Sequence, residues 1–186
     1  MPEILNEINW LDILFIILLL GMVYKGLRSG VIGQIPSLIG GFVLLYISIE
    51  YYSFMSEAIF GFMFQKWTKP ASFFIISAGI FVAVKILERV LSVINANEFA
   101  LIERLGGAVI GGFRACMLFG VLGMIFLLMP IKTMQTSVVD GSKICNTLIT
   151  MDFKIYVWMS EIIRPSEKNK KDIKTLQKEF RNAEMM

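Results

Sequence analysis

Histidine is absent from this chain, which removes both the commonest metal ligand and the commonest acid–base group at neutral pH. Cysteine is nearly absent. The two that occur, Cys116 and Cys145, fall in a long apolar run and in the more polar stretch after it, at depths too different for a disulfide. Charge is scarce as well: Asp, Glu, Lys and Arg make up 18% of the 186 residues, against 56% hydrophobic residues and a mean hydropathy of +0.69. Those proportions exclude an ordinary soluble domain. No phosphate-binding loop or nucleic-acid module occurs, and Ser37, although glycines surround it, has neither a preceding strand nor a histidine to make it a nucleophile. The expectation is a protein that is not an enzyme and has no cofactor, no metal and no nucleic-acid partner.

What the chain does contain is four long apolar blocks in its first 131 residues. A membrane-spanning helix needs about 20 mostly apolar residues, because the hydrocarbon layer is roughly 30 Å thick and a helix rises about 1.5 Å per residue. The second block meets this outright, since nothing charged lies between Arg28 and Glu50, and the fourth runs from Leu105 to Ile131 with Arg114 as its only charge. The first becomes long enough by extending back to Ile8, which takes in Trp10 as a headgroup-level anchor and Asp12. The third becomes long enough by extending to Leu91, with Lys85 and Glu88 on one helical face and Lys85 snorkelling towards water. The pattern predicts an all-α, polytopic membrane protein with spans at about 8–24, 29–49, 70–91 and 105–131.

Lys and Arg placement sets orientation. The connection between the first two spans carries Lys25 and Arg28, and that between the last two carries Lys85, Arg89 and Arg104; the opposite side carries Lys66, Lys69 and Lys132. Five against three places both termini outside the cytoplasm. Nothing basic precedes the first span, only Glu3 and Glu7, so that segment lacks the start of a signal peptide and is expected to stay attached.

In lipid, small residues that let backbones approach become the helix contacts. Ser29, Gly33, Ser37 and Gly41 recur every fourth residue in the second span, while Gly107, Gly111 and Ala115, beside Ala108, Gly112, Cys116 and Gly120, make two rows in the fourth. These two spans are the expected packed centre, and Pro36 either starts the straight part of the second helix or kinks it. An Arg near the middle of a membrane helix costs about 2.5–3.5 kcal/mol on insertion scales, so Arg114 needs the bundle interior, water or an opposite charge. Asp12 is the candidate partner, although their depths differ by roughly 12 Å at about 1.5 Å per residue. Ser37 or a water would complete the link. The alternative for Asp12 is an interfacial position in the first turn of its helix.

After the fourth span, Ile144, Leu148, Met151, Ile155, Trp158 and Ile162 make one apolar helical stripe, with Asp152, Lys154, Ser160 and Glu161 between them. The region 132–165 therefore reads as an extramembrane amphipathic helix lying on the membrane surface or against the loops, ended by Pro165. Residues 166–186 repeat lysine at 168, 170, 171, 174 and 178. They read as a charged, flexible tail for which anionic lipid is the simplest partner, its row of Ile173, Leu176, Phe180 and Ala183 fitting a helix formed on binding.

The run Gly26-Leu27-Arg28-Ser29-Gly30 after an Asp-bearing first span, followed by Glu103-Arg104-Leu105-Gly106-Gly107 leading into a span with Gly111, Gly112 and Arg114, resembles the CvpA family, the bacterial colicin V production proteins. The resemblance covers about residues 8 to 131 and the segment from Trp158 to Pro165. Glu103 stands where the family pattern has Asp, keeping the charge, and Gln34 stands where an acidic residue is common, removing one. The resemblance implies a multi-pass inner-membrane protein that serves toxin production or export and envelope homeostasis, acting as a scaffold for envelope or export proteins. The same membrane domain occurs fused ahead of an extracytoplasmic protease, which agrees with the outward termini. The competing expectation is a small channel or transporter built around Asp12 and Arg114. Four helices are few for a transport path, so that version requires a homo-oligomer and a small-residue row left exposed on the second span.

Overall fold

In the computed structural model residues 9–60, 67–92, 101–139 and 141–163 are described, and every regular element among them is a helix: α1 Trp10–Phe60, α2 Thr68–Ser92, α3 Leu101–Leu128, α4 Lys132–Val139 and α5 Lys143–Ile163. The lysine-rich tail, Pro165 and Ile8, the first residue of the expected first span, lie outside the described residues.

An unbroken α1 of 51 residues would be roughly 77 Å long at about 1.5 Å per residue, more than twice the hydrocarbon thickness. It is broken at Gly30, where φ 62° and ψ −178° form a combination that essentially only glycine adopts. The chain doubles back there. Before the break, Gly26 and Met22 lie against Gly107 and Gly111 of α3, Phe15 against Phe119, and Trp10 against Phe126, so residues 10–29 run antiparallel to α3. After it, Val31 meets Gly106, Phe42 meets Phe113 and Gly41 nears Met117, so residues 31–60 run parallel to α3. The non-helical residue is thus Gly30 and not Pro36, around which the backbone stays helical. Lys25 and Arg28, expected in a connection, belong to the helix itself.

α2 lies antiparallel to the second half of α1: Val84 packs on Gly40, the Ser77 hydroxyl donates to the Ser48 hydroxyl at 2.9 Å, and Phe73 stacks edge-on against Tyr52. α3 is the central helix, with Met117, Phe119, Met124 and Leu127 buried among Leu11, Leu44, Leu45 and Ile49 of α1. That dry core fills the half of the bundle away from the Gly30 turn. Three helical stretches are long and apolar enough to cross a membrane, Trp10–Tyr52, Thr68–Val90 and Leu101–Leu128. Their outward faces leave large side chains uncovered, such as Ile17, Ile86 and Ile102, which suits hydrocarbon as the surrounding medium.

After α3, the face that α5 buries is not the predicted stripe. α5 is a helix close to the expected place, but the side it buries is Cys145, Leu148, Ile149, Asp152, Tyr156 and Ser160. Of the expected apolar stripe, Ile144, Met151, Trp158 and Ile162 face outward and Leu148 alone is buried. The cause lies in α3. Gly120 and Gly123 leave a groove that takes Asp152 and the pair Cys145 and Ile149 respectively, so shape complementarity selects the face with smaller and more polar side chains. Tyr156 then donates to the Glu50 carboxylate at 2.7 Å, tying α5 to α1 as well.

Candidate functional site

The glycines decide where the charges go. A Cβ on Gly26 would overlap the Gly107 carbonyl, one on Gly107 would overlap the backbone of Gly26 and Gly30, and one on Gly111 would overlap the Met22 carbonyl. Only glycine lets these backbones touch. The rows Gly107–Gly111 and Gly112 therefore serve contact with the first half of α1, with Leu19 and Val23 beside Gly112. These glycines of α3 thus face the first half of α1, while the second half meets α3 through Val31, Phe42 and the apolar core instead of through its own small-residue row. Among the described residues Gly41 meets only the Met117 sulfur and Gly33 only Ser29 of its own helix, and Gly120 is covered by α5. Ala115 is buried and Cys116 half-buried and free.

With α1 folded back on α3, four segments converge near the Gly30 turn. Arg114, buried to 3% exposure, donates from Nη2 to Oε1 of Glu88 at 2.6 Å. Lys25 and Lys85 share the other oxygen of that carboxylate, at 2.6 and 3.1 Å. Ser37, buried, is within hydrogen-bonding reach of the same group. Gln34, buried beside it, donates to the Ser29 hydroxyl at 2.7 Å, and Ser29 donates back to the Lys25 carbonyl. The Lys85 ammonium also stands 5.3 Å from the centre of the Phe81 ring. One carboxylate thus holds three cations drawn from the first half of α1, α2 and α3. The Nε–H of Arg114 has no acceptor among the described residues.

Of the residues singled out from the sequence, the structure brings Arg114 and Ser37 together through Glu88. Asp12 is elsewhere. It lies in the first turn of α1 at the opposite end of the bundle, where the Ser142 hydroxyl donates to it at 2.5 Å. Ser142 in turn caps α5 by accepting the Cys145 N–H, and Asn9 donates to the Ser137 carbonyl at 2.6 Å. Asp12 and Asn9 therefore fasten the start of α1 to the α4–α5 corner. The depth gap already weighed against a pairing of Asp12 with Arg114, and the same arithmetic places Glu88 on the Arg114 side. What the sequence could not supply was the antiparallel docking that puts α2 within reach. The remaining motif residues, Arg28 and Gly30 in α1 and Glu103, Arg104 and Gly106 in α3, sit around the same turn, with Gly106 against Val31.

The cluster offers hydrogen-bond donors and positive charge; among the described residues no group of three or more Cys, Asp or Glu side chains converges to hold a metal. In comparisons with known proteins, residues 11–152 match the family model described as colicin V production protein. No curated protein and no solved structure matched the chain.

Proposed function

Because the chain belongs to the colicin V production protein family, we propose that it is a non-enzymatic accessory protein of the bacterial inner membrane, supporting toxin production or export and envelope homeostasis by holding other envelope or export proteins. In this reading the two halves of α1, α2 and α3 make four membrane passes. The Gly30 turn and the α2–α3 connection then face the cytoplasm with Lys25, Arg28, Lys85, Arg89 and Arg104, and both termini face outward.

The observation that carries the reading is that most small residues of α3, with Gly26, Gly30 and Gly40 of α1, are consumed inside a single bundle. Gly26, Gly30, Gly107 and Gly111 contact one another, Gly40 is filled by α2, and Gly120 and Gly123 are filled by α5. A channel assembled from several copies needs such a row on its outer face for close helix contact between subunits. The buried Arg114 is moreover paired within the chain, as a structural charge in a membrane helix should be.

Two measurements test this. Liposomes containing the purified protein should pass no more ions or protons than empty ones; flux that Glu88→Gln and Arg114→Leu both alter would replace the scaffold by a channel. In cells that secrete a colicin V-type peptide, loss of the chain should lower the secreted toxin and raise detergent sensitivity. Unchanged secretion and sensitivity would remove the accessory role.

A further inference from the structure

The cation cluster around Glu88 is underneutralised in a way that packing alone does not require. Lys25 and Lys85 come from different helices, yet both ammonium groups approach the same oxygen of Glu88, so two like charges are held side by side. Arg114 occupies the other oxygen. Like charges in such proximity are unfavourable unless further negative charge is near. Glu88 is the only carboxylate in contact with the three among the described residues.

Two further features say what would complete the site. Arg114, almost fully buried, keeps an Nε–H without an acceptor, so donor capacity is left over in the low-dielectric interior. The two lysine side chains are in contrast partly open, with exposures of 48% for Lys25 and 35% for Lys85. The cluster is accordingly dry on the Arg114 side and open on the lysine side. Lys25 lies five residues before the Gly30 turn, roughly 7.5 Å along the helix at about 1.5 Å per residue, which is headgroup depth in a bundle that turns at the membrane edge. An oxyanion with several acceptor oxygens and more than one hydrogen-bonding direction answers the two ammonium groups held side by side; chloride, with no directed acceptors, does not.

We propose that Lys25 and Lys85, held on Glu88 with Arg114 behind it, form a binding site for a phosphate group, presented at the bundle surface by an anionic lipid headgroup or taken up as free phosphate. The ammonium groups of Lys25 and Lys85 make the first contact, and the Glu88 carboxylate, shared among three cations, sets the spacing between them. Basic pockets between membrane helices near the cytoplasmic surface are the general setting for such headgroup recognition.

The test uses the full chain, purified in a neutral detergent and stripped of lipid. Native mass spectrometry measures retention of phosphatidylglycerol against phosphatidylcholine, and thermal unfolding at constant ionic strength measures stabilisation by inorganic phosphate against chloride. The variants are Lys25→Gln with Lys85→Gln; Arg28→Gln with Arg104→Gln, which removes two charges from the same end outside the cluster; and Lys25→Arg with Lys85→Arg, which keeps the charge. The wild type should favour phosphatidylglycerol, the glutamine pair in the cluster should weaken that preference about fivefold per lysine removed, and the other two variants should retain it. Stabilisation by inorganic phosphate without lipid preference, lost in the same cluster variant, keeps the phosphate site and assigns a soluble source. Equal retention of both lipids with no phosphate effect overturns the proposal. So does an equal loss in the Arg28 and Arg104 variant, which would reduce the effect to the overall charge of that end.

Discussion

Arg114 illustrates how a single charge is accommodated inside a bundle of this kind. Its guanidinium is buried and bonded to Glu88, so removing the carboxylate leaves an uncompensated cation among apolar helices. Glu88→Gln should destabilise the protein by about 3 kcal/mol, and combining it with Arg114→Met should recover most of that loss; both are read from unfolding in mixed micelles. Asp152 is the opposite case, a carboxyl buried in the α3–α5 contact whose Oδ2 has no partner among the described residues. Burial pushes it up from its ordinary value of 3.8 to about 9. Between those limits the folded state holds a proton that the unfolded chain has released, so stability falls as pH rises through that window. Asp152→Asn removes the titration. The unfolding midpoint of the wild type should therefore drop more between about pH 5 and about pH 8 than that of the variant, and parallel pH profiles would show that the carboxyl is ionised when docked.

At the scale of elements, the glycines fall into functional groups that their spacing alone does not separate. Gly107 and Gly111 face backbone, which cannot step aside, so Gly107→Val should push residues 10–29 off α3 and break the Glu88 cluster from a distance. Gly21 and Gly79 have nothing among the described residues within 4 Å of an added Cβ, and Gly21→Ala should leave folding unchanged. Retention of the native unfolding midpoint by Gly107→Val would show that the two helices are not in close contact. Gly30 acts through its backbone, and Gly30→Ala should cost about 1–3 kcal/mol by forcing a side chain into a region of φ and ψ that it avoids. The glycine rows of α3 were visible in the sequence as rows, but their partners were not. Period tells which residues share a face, whereas the facing helix is chosen by the turn at Gly30, one conformation of one residue in a continuous helical pattern. The same limit explains α5, where two helical faces compete and the glycines of α3 select the less apolar one.

At the scale of the molecule, the bundle is asymmetric along its length. The end with α4, α5 and the start of α1 is fastened by Asn9, Asp12 and Ser142, while the end with the Gly30 turn carries the Glu88 cluster of three cations. The proposed orientation, with the Gly30 turn towards the cytoplasm, is tested at this scale. In a background with Cys116 and Cys145 replaced by alanine, Trp67→Cys and Ile163→Cys should react with a membrane-impermeant thiol reagent added outside intact cells. Arg28→Cys and Arg104→Cys should react only after the membrane is opened. The reverse pattern would invert the topology and bring the phosphate site to the outer leaflet.

Composition and periodicity, taken alone, determined that this chain is helical and apolar enough for a membrane, and the motif around Gly26 to Gly30 and Glu103 to Gly107 marked its family. These are local or additive properties: each residue contributes to hydropathy, and each glycine to a motif, without reference to what it touches. Tertiary structure alone decided that Arg114 belongs to Glu88, that Asp12 belongs to Ser142, and that Lys25 joins the cluster from a helix many residues away. Those pairings depend on the direction in which each helix runs and the face it turns to its neighbours. Both are fixed by the reversal at Gly30 and by the backbone contacts that glycine permits, not by the identity of the charged residues themselves.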